Sequence, residues 1–332
     1  MDRRVWGALG TGAGLAAAGA AYATWVEPRW FALRRVEVPC LPSRATSVRV
    51  LHLSDLHLVP RQRVKRAWVR RLADLRPDLV VDTGDNLAAR DAVPALVDTL
   101  DGLLEVPGAF VLGSNDYFAP GLKNPLRYLD DSHDRPVRIG AATPGQHGPG
   151  PADPTDRGRL PTEELLEALT GRGWVDLTNA RARLEVAGLR LELVGVDDPH
   201  LEYDDYGVVA GPAADDVDLT IGVTHAPYRR VLDAMSRDGA GLLIAGHTHG
   251  GQLAVPFYRA LVTNCDLDTG RVKGVSRWWP GANGLPSSGA PPRAAWMHVS
   301  AGLGTSPYAP FRFACRPEAS LLTLVPSDAR RG

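Results

Sequence analysis

Apolar and polar positions along this chain follow two rhythms, and their succession predicts a layered α/β fold. VRVLHLS (48–54), DLVVDTGD (78–85) and AFVLGSND (109–116) are short apolar runs rich in β-formers, as expected of buried strands. Between them Val64, Trp68, Leu72 and Leu75 recur at helical spacing over 61–76, and 93–104 suits a second helix. A further helix is expected around 162–171. RARLEVAGLRLELVG (181–195) alternates on both sides of Ala187-Gly188, a hairpin pattern. DLTIGVTH (218–225), GLLIAGH (241–247), AAWMHVSAG (294–302) and EASLLTLV (318–325) supply the remaining strands. The stretch 119–161 is Pro- and Gly-rich without periodicity and reads as a surface insertion; 280–293 reads as a second loop.

The N-terminus departs from this pattern. Residues 5–26 run 22 positions without a charge, after Arg3 and Arg4. That length spans a bilayer, although thirteen of these residues are Ala or Gly and make the run only weakly apolar. Twin arginines and AYA at 21–23 equally suit an export signal with a small-residue cleavage site. Both readings place the protein at the cell membrane or beyond it. The Pro-containing stretch that follows reads as a linker.

Composition narrows the function by exclusion. A formal charge of −1 over 332 residues gives no general attraction to nucleic acid, so no nucleic-acid partner is expected. Three widely spaced cysteines, Cys40, Cys265 and Cys315, make neither a disulfide framework nor a thiolate zinc site. One local exception to the even charge is RQRVKRAWVRR (61–71), with six basic residues and no acid. It is either the solvated face of a helix or a patch that docks on anionic lipid.

Candidate chemistry stands at the strand ends. Asp55 and His57 follow LHLS, Asp85 follows VVDTG, Asn115 follows FVLGS, His225 follows TIGVT, and His247 and His249 follow LLIAG. Carboxyl ends of sheet strands are where α/β folds gather ligands. One such coincidence is ordinary, but five of them, all with carboxylate, amide or imidazole, point to a divalent-metal site.

The ordered pieces DLH, GD, GSND, TH and GHTHGG resemble the calcineurin-like metallophosphoesterase superfamily, in its membrane-associated bacterial phosphodiesterase branch. The resemblance implies an α/β fold, a four-layer α/β/β/α sandwich of two mixed sheets flanked by helices. It also implies two divalent ions (Mn, Fe or Zn). Asp55, His57 and His249 would hold one, Asn115, His225 and His247 the other, with Asp85 between them. Two cations about 3.5–4 Å apart clamp a phosphate and share a hydroxide nucleophile for in-line attack. A phosphodiester or pyrophosphate on an envelope or lipid-linked substrate is the expected target. The alternative is a non-catalytic metallophosphoesterase-like binding scaffold at the membrane. The domain organisation becomes an anchor or export signal (1–35), a linker (36–47), a catalytic domain (48–326) interrupted by 119–161, and a tail (327–332).

Two positions depart from the family pattern. Ala88 stands where a second aspartate often follows the G-D motif, and Asp116 stands where the family has a catalytic histidine. Asp116, Asn115 and a loop histidine, His200, are therefore the candidates for the catalytic groups beside the metals. Arg312 is a candidate for touching a substrate phosphate, on the resemblance alone. His52, His133, His147 and His298 are expected to be structural or loop residues.

Overall fold

Most of the apolar runs become strands of two six-stranded sheets. The computed structural model describes residues 14, 17–121, 158–254, 260, 263–305 and 310–327. In the first sheet β1 (Ala32–Leu41), β2 (Val48–Leu53), β3 (Leu79–Asp82), β4 (Gly108–Phe110), β5 (Val175–Asp176) and β12 (Glu318–Pro326) lie in the order β1-β12-β2-β3-β4-β5. The second is ordered β10-β11-β9-β8-β7-β6, from β6 (Ala180–Val186), β7 (Leu189–Gly195), β8 (Leu219–Thr224), β9 (Leu242–Ala245), β10 (Gly274–Trp278) and β11 (Ala295–Val299). Both are mixed: β2, β3, β4 and β5 run parallel, as do β7, β8, β9 and β11, with antiparallel neighbours toward the edges.

Strand alternation sets the layers. Val50, Leu79, Val81 and Ala109 of the first sheet pack against Leu191, Leu193, Ile221 and Ile244 of the second. Leu51, Leu53 and Val80, on the opposite face, meet α1 (Arg63–Arg70), α2 (Val93–Leu100) and α4 (Thr162–Thr170) through Val69, Leu96 and Leu165. The far face of the second sheet, with Val194, Leu243 and Met297, is covered by α6 (Arg229–Arg237) through Val231, Leu232 and Met235. This is the α/β/β/α sandwich. Two single turns, α3 (Ser114–Tyr117) and α5 (Tyr206–Val209), complete the helices used below.

Several expectations need correcting. The segment 36–47 is not a linker, because β1 crosses it. Val38 and Leu41 are fully buried there, and the strand pairs in parallel with β12 from Ala32↔Glu318 onward. Along the 61–76 helical stretch Trp68, Leu72 and Leu75 pack on the core as expected, but Val64 is exposed and Lys65 and Val69 are buried instead. The third strand stops at Phe110, since Gly113 begins the α3 turn. Strands β5 and β10 and helix α6 were not foreseen. Most of the 119–161 insertion, with His133 and His147, lies outside the described residues. Its described ends meet, with Ala119 N donating to Gly158 O. Most of the uncharged N-terminal run also lies outside them, and no helix among the described residues is long and apolar enough to cross a membrane.

Candidate metal centre

The strands β2, β3, β8 and β9 deliver their following residues to one place, and the backbone is bent sharply to do it. Asp55, His57, Asp85, His247 and His249 all have positive φ, between 42° and 66°. A left-handed conformation is unfavourable for residues with a Cβ, and its concentration at one site is a sign of function. Small residues make the approach feasible. A Cβ on Gly113 would lie 2.5 Å from Asp85 Oδ1 and 2.7 Å from His225 Cε1. One on Gly246 would lie 2.8 Å from Asp55 Oδ2.

Side-chain atoms converge in two adjoining groups. Asp55, His57, Asp85 and His249 each offer one ligand atom within 4.8 Å of all the others, and all four are buried. His57 Nε2 and His249 Nε2 are 3.2 Å apart, and His249 Nε2 lies 3.5 Å from Asp55 Oδ1. In the second group His225 Nε2 and His247 Nδ1 are 3.2 Å apart. Asp85 joins the two: Oδ2 lies 3.5 Å from His57 Nε2, and Oδ1 lies 3.5 Å from His225 Nε2. Asn115 holds Asp85 in place, its backbone N–H donating to Oδ1 at 2.6 Å and its amide to Oδ2 at 2.8 Å.

This arrangement fits a divalent cation. Asp55 Oδ1 is buried and has no hydrogen-bond partner among the described residues, a costly state for a carboxylate oxygen unless a cation takes it. Burial lowers the pKa of His57 to about 4 and those of His247 and His249 well below the usual range. Their rings are therefore neutral and have a lone pair to give. Burial works against Asp85 as a charged group, but His225 above all, together with the N–H bonds from Asn115, outweighs it and holds its carboxyl below the ordinary range.

The surroundings assign other expected residues to support. Asp116 does not face the centre. Its buried carboxylate accepts N–H bonds from Asp85 (2.8 Å), Asn86 (2.8 Å), Leu87 (3.3 Å) and Gly113 (3.0 Å). It clamps the loop that carries Asp85, which corrects the expectation of a catalytic group there. Arg312 is likewise fully buried. Its Nη2 donates to Ala301 O at 2.7 Å and Gly304 O at 2.6 Å, and lies 3.3 Å from His249 Nδ1. It braces the metal loop from behind. Sequence reasoning passed over Ser54 and Thr83: Ser54 donates to Asp55 Oδ2, and Thr83 Oγ1 donates to Ser54 Oγ at 2.7 Å. His52, expected to be structural, continues this chain at 2.9 Å from Thr83 Oγ1.

His200 does reach the centre. Its ring lies 4.6 Å from that of His247, and its Nδ1 is 3.0 Å from the Tyr228 hydroxyl. Its backbone N–H donates to Asp198 Oδ1 at 2.9 Å, while Asp198 Oδ2 is buried without a partner among the described residues. Three of the six basic residues of the stretch 61–71 are engaged within the fold. Arg66 and Arg70 both pair with Asp98, and buried Lys65 donates to Leu56 O at 2.6 Å.

Comparison with known proteins agrees with this geometry. Residues 48–251 match the family described as calcineurin-like phosphoesterase. The chain is 24% identical to the uncharacterized metallophosphoesterase YkuE of Bacillus subtilis (strain 168), covering 98% of each chain. It is 25% identical to the phosphodiesterase YaeI of Escherichia coli (strain K12), over 92% of this chain and 93% of that one. Among solved structures, a 5'-nucleotidase precursor from Thermus thermophilus superposes with a TM-score of 0.41 at 14% identity, over 84% of this chain and 55% of that one. Since the family match covers more than half of the sequence and contains all seven residues at the strand ends, the chain belongs to the calcineurin-like phosphoesterase family and is a metal-dependent hydrolase of phosphoester bonds.

Proposed function

We propose that the protein is a two-metal phosphodiesterase of the membrane-associated bacterial branch, acting on a phosphodiester or pyrophosphate at the cell envelope. One observation carries the two-metal reading: the two oxygens of Asp85 face different imidazole groups, each 3.5 Å from a ring nitrogen. Asp55, His57 and His249 would hold one cation and His225, His247 and Asn115 the other, with Asp85 shared. The mixed N/O donor set suits Mn²⁺, Fe or Zn²⁺. When bound, such a pair polarises phosphoryl oxygens and lowers the pKa of water.

The chain's own residues do the rest. Asp116 and Asn115 hold Asp85 from the backbone and side-chain directions, so its two oxygens stay divided between the groups. His200, beside His247 and tied to Tyr228, is placed to hydrogen-bond a phosphate or leaving-group oxygen. With Asp116 occupied in the loop, leaving-group protonation falls to His200 or water, which favours substrates with good leaving groups. Left-handed backbone at five candidate ligands favours a metal-binding centre, and turnover separates the enzyme from the non-catalytic binding scaffold.

The test is metal content and turnover together. The protein is stripped, reloaded with Mn²⁺ and assayed on bis(4-nitrophenyl) phosphate and 4-nitrophenyl phosphate, with Asp85→Asn as control. Two ions per chain and a preference for the diester, both lost in Asp85→Asn, are expected. One ion, or full metal content without turnover of either ester, overturns the reading.

A further inference from the structure

Of eight large apolar side chains exposed among the described residues, five belong to one region: Trp25, Val26, Trp30, Phe311 and Phe313. Trp25 is 65% exposed and Trp30 53%. Contacts join the two segments that carry them. The Tyr22 ring stands edge-on to Phe313 at 6.3 Å, and the Arg316 guanidinium lies 4.1 Å from the Trp30 ring centre. Arg312 N donates to Ala23 O at 2.9 Å, and Glu27 accepts N–H bonds from Ala314 (3.0 Å) and Cys315 (2.5 Å). A soluble surface does not usually concentrate aromatic side chains in this way.

Two observations say what covers this face. Trp25 and Val26 are the last residues of the uncharged run 5–26, so the face continues an apolar segment into the folded domain. Arginine borders it: Arg29 is exposed and Arg316 lies against Trp30, whereas Glu27, the only acid between residues 17 and 36, is buried. Tryptophan with arginine beside an apolar segment is the composition of a bilayer interface, and cationic borders favour anionic headgroups.

The face is also tied to the metal loop. Phe313 N donates to Gln252 O at 2.9 Å and Ala254 N donates to Phe313 O at 2.9 Å, directly after GHTHGG. We propose that this face rests on a bilayer containing anionic phospholipid and so presents the metal centre to phosphate esters at headgroup level. The docking stands on the surface alone; its consequence for substrate rests on the phosphodiesterase reading above.

The test uses the full chain carrying Trp6→Phe, with phosphatidylcholine/phosphatidylglycerol vesicles whose acyl chains are brominated, and reads tryptophan quenching. Quenching that largely disappears in Trp25→Phe/Trp30→Phe, at equal vesicle flotation, is expected. Phe311→Ser/Phe313→Ser changes a loop some 285 residues away in sequence. It should weaken the quenching of Trp30 while circular dichroism stays native. Vesicle-bound protein whose Trp25 and Trp30 are unquenched overturns the proposal. A dimer in detergent that Phe311→Ser/Phe313→Ser dissociates overturns it too, by assigning the face to a second copy. Equal quenching in pure phosphatidylcholine overturns the anionic requirement. Mn²⁺-dependent turnover of bis(4-nitrophenyl) phosphate in detergent, without vesicles, tests the phosphodiesterase reading separately.

Discussion

His52 and His298 meet across the two sheets with their Nδ1 atoms 2.9 Å apart. Burial keeps both rings neutral, with His52 well below its usual pKa and His298 lowered to about 4. The direction of every bond then follows from the far end. An ionised Asp55 only accepts, so Ser54 donates to it and Thr83 donates to Ser54. Thr83 Oγ1 must accept from His52 Nε2–H, which leaves His52 Nδ1 to accept from His298 Nδ1–H. One oxygen of Asp55 is thereby fixed and the other is left for a cation.

His52→Leu should therefore weaken metal binding without touching a ligand. Losing a partner behind a ligand typically costs 10–100-fold in affinity, and about tenfold is expected here. Calorimetric titration with Mn²⁺ reads it directly. A His52→Leu protein that melts earlier but binds Mn²⁺ as tightly would make the pair a packing feature only.

Asp116→His should lower stability and fail to improve hydrolysis of alkyl diesters. Four backbone N–H groups lose their acceptor, each worth about 1–3 kcal/mol when left unsatisfied, so a net loss of roughly 3 kcal/mol or more is expected. Denaturant melts of Asp116→His and Asp116→Asn rank the effect, with Asn milder because it keeps one acceptor oxygen. A native-like melt with faster alkyl-diester turnover would return position 116 to the reaction.

Lys65 gives the stability a pH dependence. Burial, with Arg312 adding to it, lowers its pKa from 10.5 to about 7. Between these values the unfolded chain binds a proton that the folded one does not, so this contribution to stability rises with pH from about 7 to about 10. Below about 7 both states are protonated and it is flat. Lys65→Met should remove the slope, at the cost of the bond to Leu56 O. Melts at pH 7 and pH 9, compared between wild type and variant, test the sign.

The strand ends were legible because an apolar run followed at once by Asp, Asn or His is a local pattern. Asp55, Asp85, His225, His247 and His249 could all be found in this way. What lies behind them could not. His52 and His298 are 246 positions apart, and only strand order brings β2 and β11 to facing positions. Asp116 was misread because its neighbours in sequence suggest a position at the metals, whereas the α3 turn aims its carboxylate at the 85–87 backbone. Strand β1 was hidden by its arginines and Pro39, which an edge strand tolerates.

The N-terminal segment, read as separable, is part of the support of the metal loop. Glu27 is almost fully buried and satisfies the backbone N–H groups of Ala314 and Cys315, while the Cys315 thiol lies 3.3 Å from His249 O. Arg312, in the same loop, stands behind His249. Glu27→Ala should therefore cost about 2 kcal/mol, from two buried donors left without an acceptor. It should also weaken Mn²⁺ binding, though less than His57→Ala does. A chain beginning at residue 17 keeps Glu27 and should melt like the whole protein. A chain beginning at residue 36 loses Glu27 and the first four residues of β1, and should melt well below it. Equal melting of the two truncated chains would show that the contacts of residues 22–35 contribute nothing, and Glu27 would then have no part in holding His249.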